Sequence, residues 1–434
     1  MATLKESDAM KEGYFWPDKF KYNGNNWTML RMCGKGTFSS CYHVCNEHGN
    51  NLALKVFKKE TKYQAAFTNE LQILRSLKDG LTQQKDSVSF VIKYIDSFTL
   101  SEHECILMEL LGSNLQELLI KNEMKGFSYY LIKKCFHDLI SAVVFLEQLG
   151  LVHGDIKPTN ILWNINSNCF QLIDFGLSFA YGSKPHQQLQ SPGYQAPEVL
   201  LWNREITEDQ LAIPLSGSQR GSHILLPSMD LWSVGCVVVY ISTGQQLYAT
   251  EHAQSLPFLC TNCATDSGPC SHSRKAKNIL SSIGNKLRSD EFDNLTNVLC
   301  GLLQCCPGKR LSSQVVLKHP FLMANMAQEP DIADFILLPT IILRLLNMFD
   351  TTEDEEKQDI LTDIKEECQD FGPVLSVTSH KKTDIDLEYN VYVEFKNAAD
   401  CEKAQKMLTG RYFNGRLVIA TFFPVQDFLK KHFY

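Results

Sequence analysis

The chain reads as an α+β protein made of a large two-lobed body over residues 25–322 and a small β-α-β-β-α-β body over 339–434. Three features predict this. Strand-like segments crowd the stretch before residue 109, and the densest apolar run, Leu231 to Ile241, which reads as a buried helix, lies well after it. A dense polar constellation, His153-Gly154-Asp155-Ile156-Lys157-Pro158-Thr159-Asn160 and then Asp174-Phe175-Gly176, falls between the two. The pattern restarts after a junction at Pro330 to Pro339 with its own strand, acidic helix and alternating segments.

The length of 434 residues allows two or more domains, and an apolar fraction of 44% is enough for real cores. A net charge of −7 argues against a general nucleic-acid binder, which is normally basic. Residues 1–20 are polar and charged with no apolar signal core, and no apolar run reaches membrane-spanning length. The expected protein is soluble and intracellular, with no membrane partner, and its fifteen cysteines read as reduced thiols.

Residues 1–24 read as a weakly ordered tail and 25–109 as the first lobe. In Cys33-Gly34-Lys35-Gly36-Thr37-Phe38-Ser39-Ser40-Cys41 two glycines one residue apart let a hairpin turn fold over phosphates, with backbone N–H groups facing them. An apolar strand, Leu52-Ala53-Leu54-Lys55, offers a lysine to the phosphates. Glu70, within the helical pattern of Phe67, Leu71, Leu74 and Leu77, can pair with it. Ile106 to Leu111 reads as the last strand and hinge, with Met108 at the back of an adenine pocket and Glu109 beside it.

In the second lobe, 110–322, the polar constellation has the spacing that phosphoryl transfer from ATP requires. Asp155 can accept the proton of a substrate hydroxyl, Lys157 can neutralise the phosphoryl group in flight, and Asn160 and Asp174 can hold bridging metal ions. With Ala196-Pro197-Glu198, Asp230 to Gly235 and Arg310, these motifs make residues 25–322 resemble a eukaryotic-type serine/threonine protein kinase with its bilobal fold. The resemblance implies ATP and Mg2+ as cofactors and protein serine or threonine as acceptor. It also implies that Asp230 braces the catalytic loop and that Glu198 pairs with Arg310. Gly154 departs from it, standing where such kinases usually carry the arginine that pairs with an activation-segment phosphate. Activity without that phosphorylation is therefore expected. Ser39 replaces a third loop glycine.

Two insertions interrupt the pattern. Val199 to Met229 reads as a polar loop. Leu256 to Lys275 reads as a loop carrying Cys260, Cys263, Cys270 and His272, a set that could bind zinc; irregular spacing makes free thiols the preferred reading.

Residues 323–338 read as a linker. Beyond it, Ile341 to Met348 is strand-like, Thr352 to Glu355 can form a capping box, and the following helix puts Ile360, Ile364, Cys368 and Phe371 on one face with an acidic face opposite. Two more strands, a helix from Asp400 to Leu408 and a last strand complete the β-α-β-β-α-β order of an RNA-recognition fold. RNA is nevertheless a disfavoured partner. The base-stacking position of the first strand is Arg344, that of the third is Asn390, and only Tyr392 remains aromatic. Arg411-Tyr412-Phe413 after an acidic helix instead resembles a U2-auxiliary-factor homology motif (UHM). That resemblance implies that Arg411 and Phe413 clamp a tryptophan while Asp359, Asp363 and Glu366 meet the basic residues preceding it.

A kinase joined to a UHM resembles a small group of splicing-linked kinases. It implies Ser-Pro sites, splicing factors (splicing factor 1-like and splicing factor 3b subunit-like peptides) and stathmin as partners, and a nuclear or nuclear and cytoplasmic location. Two alternatives stay open: a catalytically weak scaffold and an RNA-bound kinase.

Overall fold

Between Lys19 and Phe57, and again between Tyr94 and Glu109, polar turns separate short strands, while the apolar runs beyond them are long enough for buried helices. The chain, a computed structural model, is described over residues 18–83, 88–185, 187–210, 226–248, 268–323, 332–350, 353–381 and 388–433. It divides into two units, one of residues 1–83 with 92–111 and one of 84–91 with 112–434.

The first unit is an antiparallel sheet. In chain order its strands are β1 (Lys19–Tyr22), β2 (Asn25–Lys35), β3 (Ser39–Asn46), β4 (Asn51–Phe57), β5 (Tyr94–Leu100) and β6 (His103–Glu109), arranged β1-β2-β3-β4-β6-β5. β1 lies inside the expected tail. Its Phe20 pairs in register with Trp27 and both are buried, while Lys19 on the alternate face is exposed. Phe20 and the partly buried Tyr22 alternate with Lys19 and Lys21, an alternation of only four residues, the shortest that marks a strand in sequence. Helix α1 (Thr61–Gln83) buries Phe67, Leu74 and Leu77 together with the charged Glu70.

The second unit is assembled around α3 (Tyr129–Gln148) and α5 (Ser228–Thr243), preceded by the capped helix α2 (Leu115–Lys121). Nearly every side chain of α5 is buried, and the helix ends on Gly244 at φ +74°. There a Cβ would overlap the Met124 carbonyl at 1.8 Å, so the position accepts glycine alone. Around them run β7 (Leu151–Val152), paired with β10 (Phe179–Ala180), and the hairpin β8 (Ile161–Asn164) with β9 (Cys169–Leu172).

The structure corrects both loop expectations. Residues from Pro197 to Gln210 form α4, so the first third of the supposed polar loop is helical; 211–225 lie outside the described residues. Ser271–Leu280 is a helix, α6, with Cys270 and His272 buried at its start; Cys260 and Cys263 lie outside the described residues. Among the described residues no group of three His, Cys, Asp or Glu side chains is arranged for a metal. His272 instead lies edge-on to Trp232 at 5.2 Å, and its Nδ1 shares a hydrogen bond with the Tyr248 hydroxyl.

Burial, with smaller contributions from the positive charges of Arg310 and Lys275, lowers the pKa of His272 from 6.5 to about 4. The unfolded chain therefore takes up this proton first. The stability that the neutral ring contributes is present above pH 6.5 and is lost as pH falls from 6.5 towards 4. At pH 5 the loss is about 2 kcal/mol. We expect wild-type protein to lose thermal stability more steeply between pH 7 and pH 5 than His272→Phe, and parallel melting curves for the two would refute this.

The chain continues through α7 (Ser289–Leu302), α8 (Ser313–Leu317), α9 (Pro320–Met323) and the linker helix α10 (Ile332–Leu337) into the small domain. That domain has strands β11 (Ile342–Phe349), β12 (Val374–His380) and β13 (Tyr389–Phe395), helices α11 (Asp354–Gln369) and α12 (Ala398–Leu408), the hairpin β14 (Tyr412–Phe413) with β15 (Arg416–Leu417), strand β16 (Ile419–Phe423) and a final helix α13 (Val425–Leu429). The antiparallel sheet runs β12-β13-β11-β16, and one face packs on Ile360, Ile364 and Cys368 of α11 and on Cys401, Ala404 and Leu408 of α12. Helix α11 begins after Glu353, whose side chain caps nothing, and Thr352 of the expected capping box lies outside the described residues. No helix among the described residues is long and apolar enough to cross a membrane.

Candidate active site and peptide-docking surface

In the first unit, β2 and β3 are joined by the glycine turn, with Cys33, Gly34 and Lys35 on β2, Gly36, Thr37 and Phe38 in the turn, and Ser39 and Cys41 on β3. The Gly36 N–H donates to the Ser39 carbonyl at 2.8 Å, and Phe38 packs edge-on to Tyr63. A Cβ on Gly34 would meet nothing within 4 Å, and one on Gly36 only the Ser39 carbonyl at 3.4 Å. Packing within the protein thus demands glycine at neither position, whereas close approach of a phosphate chain to the backbone does. Cys41 sits in register with Lys55 on β4. Lys55 Nζ contacts both Glu70 carboxylate oxygens, at 2.6 and 2.8 Å, with the carboxylate almost fully buried. Met108 is buried on β6, and Glu109 at its end accepts the Lys93 N–H at 2.8 Å.

In the second unit the catalytic loop hangs from one buried acid. Asp230 of α5 accepts the N–H of His153 at 2.7 Å and that of Gly154 at 3.0 Å. Burial raises the pKa of its carboxyl, and His153 and the two N–H donors oppose that rise. The His153 ring bridges the Asp155 N–H at 3.1 Å and the Ile173 carbonyl at 3.0 Å, so it fastens the catalytic loop to the segment entering Asp174. Asp155 itself is 5% exposed. Lys157 Nζ lies 2.8 Å from Oδ2 and Asn160 Nδ2 lies 3.2 Å from the same oxygen, while the Ser191 hydroxyl donates to Oδ1 at 2.7 Å. The Asn160 Nδ2 also donates to the Asp155 carbonyl at 2.9 Å, which leaves the amide oxygen as the atom available to a cation. Asp174 adopts φ +62°, a left-handed turn that β-branched residues avoid. Two hard oxygen donors, one from Asn160 and one from Asp174, are the chemistry a divalent ion needs.

Sequence reasoning missed Ser191 and its neighbours. Ser191 also accepts Lys157 Nζ at 2.8 Å, closing a three-residue ring with the Asp155 carboxylate. The one signal for it was its place five residues before the Ala-Pro-Glu motif. Gln190, 5% exposed, donates its amide to the Met229 carbonyl and Ser233 hydroxyl at 2.9 Å each and accepts the Ala196 N–H at 2.7 Å. Asn203 accepts the Leu189 N–H and donates to the Leu189 carbonyl, both at 2.8 Å. Protein amides therefore fix this end of the activation segment. Arg310 makes a forked pair with Glu198, at 2.5 and 2.6 Å, over the Trp232 ring.

In the small domain the structure brings Arg411 to α11, where it pairs with Glu367 at 2.8 Å. Phe413 on β14 packs against the core that holds Ile360 and Ile364 and remains partly exposed. Asp359, Asp363 and Glu366 are all exposed on α11. The cation, the aromatic ring and the acidic helix thus share one side of the domain.

Residues 27–322 match the protein kinase domain family, and the chain belongs to it. Residues 361–419 match the RNA recognition motif. The chain is 32% identical over 422 residues to serine/threonine-protein kinase Kist of mouse and of human, spanning 95% of this chain and 94% of each relative. It is also 32% identical over 229 residues to a putative dual specificity tyrosine-phosphorylation-regulated kinase 3 homolog of Drosophila melanogaster, covering 52% of this chain and 24% of that protein. The chain is a serine/threonine protein kinase carrying an RNA-recognition-type domain, and its reaction uses ATP and a divalent metal ion.

Proposed function

We propose that the kinase phosphorylates serine followed by proline in proteins that dock on its C-terminal domain through a tryptophan set among basic residues, with splicing factors and stathmin as the substrates it suits and the nucleus as its main location. In this reading Asp155 accepts the hydroxyl proton, Lys157 balances charge on the phosphoryl oxygens, and Asn160 and Asp174 hold Mg2+. The bound metal supplies charge neutralisation between the phosphates. Lys55, oriented by Glu70, and the backbone of residues 33–41 hold the nucleotide beside Met108 and Glu109.

The observation that carries the phosphotransfer reading is the ring of Lys157, Ser191 and Asn160 around Asp155, which holds the carboxylate in one orientation. Support for proline comes from Gln190, held at φ +55° with its carbonyl accepting the Gln195 side-chain N–H at 3.1 Å. Ser191 touches Asp155, so a substrate residue following the acceptor serine runs past this carbonyl. That carbonyl already accepts the Gln195 amide, so an N–H at that residue would have to share it, whereas proline has none to satisfy. Support for docking comes from Arg411, Phe413 and the exposed acids of α11 on one side of the domain.

One experiment tests both parts. Turnover is measured on a Ser-Pro peptide and its Ser-Ala counterpart, each with and without an appended basic segment containing tryptophan. Alanine for proline should lower kcat/KM by at least about tenfold, the worth of one unsatisfied N–H. The appended segment should raise kcat/KM, and Phe413→Ala should shrink that gain by about 30-fold, as loss of an aromatic anchor of roughly 2 kcal/mol requires. An appended segment with no effect in wild type would end the docking reading while leaving the kinase reading intact.

A further inference from the structure

The sheet of an RNA-recognition fold has one face on its helices and one face free, and RNA-binding members stack bases on the free face. In this chain that face is covered. Arg344 on β11 and Tyr392 on β13 lie opposite each other in register, and they are 4% and 0% exposed. The Arg344 guanidinium sits over the rings of Phe335, from the linker helix α10, at 4.6 Å and of Phe423 at 5.4 Å, while its Nε donates to the Thr421 hydroxyl at 3.1 Å. Tyr392 is closed in by Phe433 at 4.7 Å and Phe428 at 6.4 Å, both from the C-terminal segment.

The cover continues into the kinase. Ile165, in the turn of the β8–β9 hairpin, packs against the cluster of Ile342, Tyr392, Phe423 and Val425. Gln426 of α13 donates to the Asn166 carbonyl at 3.1 Å, and the buried Trp163 indole donates to the Pro339 carbonyl at 3.2 Å. Ser128, capping α3, donates to Asp334 of α10 at 2.6 Å, and Lys121 of α2 pairs with Glu402 of α12 at 2.9 Å.

We propose that the sheet face of the small domain is an intramolecular docking surface whose occupants are the β8–β9 hairpin of the kinase, the linker helix and the chain's own C-terminal segment. It is therefore not an RNA site. The domain is built onto the kinase C-lobe as one body with it, rather than swinging on residues 323–338. This stands independently of the peptide reading, because Arg411 and Phe413 take no part in it.

The test uses the full chain. Hydrogen exchange read by mass spectrometry compares wild type with Phe428→Asp, which lies in the C-terminal segment, and with Ile165→Asp, which lies in the kinase hairpin. Phe428→Asp should raise exchange of hairpin residues 161–172 at least tenfold with 228–243 of the kinase core unchanged. Ile165→Asp should do the same to 389–395. Hairpin exchange unaffected by Phe428→Asp would mean that the domain is merely tethered, and the proposal would fall. A fluorescein-labelled twelve-nucleotide oligouridine, titrated by anisotropy in about 0.1 M salt, should show no saturable binding to wild type below about 100 μM, the weak end of sequence-independent affinity. Saturable binding that protects 342–349 and 389–395 from exchange would overturn it equally.

Discussion

Asp155→Asn lowers turnover of a Ser-Pro peptide by about three orders of magnitude. A positioned general base contributes about 10² to 10⁴ in rate, and the substitution also disturbs the partners that aim it. Lys157 Nζ, the Ser191 hydroxyl and Asn160 Nδ2 all point hydrogens at the two carboxylate oxygens. An amide in that place must present its own N–H groups to one of these donors, so the ring opens on one side. The measurement is kcat on bacterially produced, phosphatase-treated protein, with the thermal midpoint recorded alongside to establish that the fold persists. Turnover of the dephosphorylated wild type, the reference in this comparison, tests the expectation that no activation-segment phosphate is needed. A variant within tenfold of wild type would favour the scaffold reading over an active kinase.

Arg310→Ala produces the largest loss of stability, about 3–5 kcal/mol, which corresponds to a fall of roughly 10 °C in the thermal midpoint. The Arg310 side chain is 0% exposed and that of Glu198 15%. Removing the guanidinium strands a nearly buried carboxylate and leaves the Gln304 and Ser228 carbonyls without their donor. A cavity also opens beside the Trp232 ring, over which Arg310 lies at 5.1 Å. The cost comes from the orphaned charge more than from the lost attraction. The double variant Glu198→Gln, Arg310→Met should therefore be more stable than Arg310→Ala alone, and a double variant that is less stable would contradict the argument.

The motifs were legible because chemistry fixes both residue type and spacing. Asp155, Asn160 and Asp174 lie within twenty residues of one another, and the Lys55–Glu70 pair declares itself through a strand followed by a helix. The elements that escaped notice are held by tertiary contacts that leave little local pattern. β1 is an alternation of only four residues, Lys19 to Tyr22. Ser191 and Gln190 look like ordinary loop polar residues until they are seen contacting Asp155, Met229 and Ser233. His272 drew attention as a possible ligand because it follows cysteines, whereas its burial under Trp232 is a matter of packing. Arg344 stood out in the sequence because it occupies the first strand's base-stacking position. That it lies between Phe335 and Phe423 could not be read, because those rings come from nine residues before it and almost eighty after it.

Gly154 carries a consequence for how this kinase can change over time. It sits at φ +78°, and a Cβ there would lie 2.7 Å from the Leu177 carbonyl. Every side chain is excluded, arginine with the rest, and a single substitution cannot restore the residue that reads an activation-segment phosphate. Recovering it would require the turn at 154 and the backbone at 177 to move together, while the N–H groups of 153 and 154 are pinned to Asp230. A phosphate on the activation segment would therefore find no arginine at 154 to pair with, and any further anchor for it must come from elsewhere on the chain.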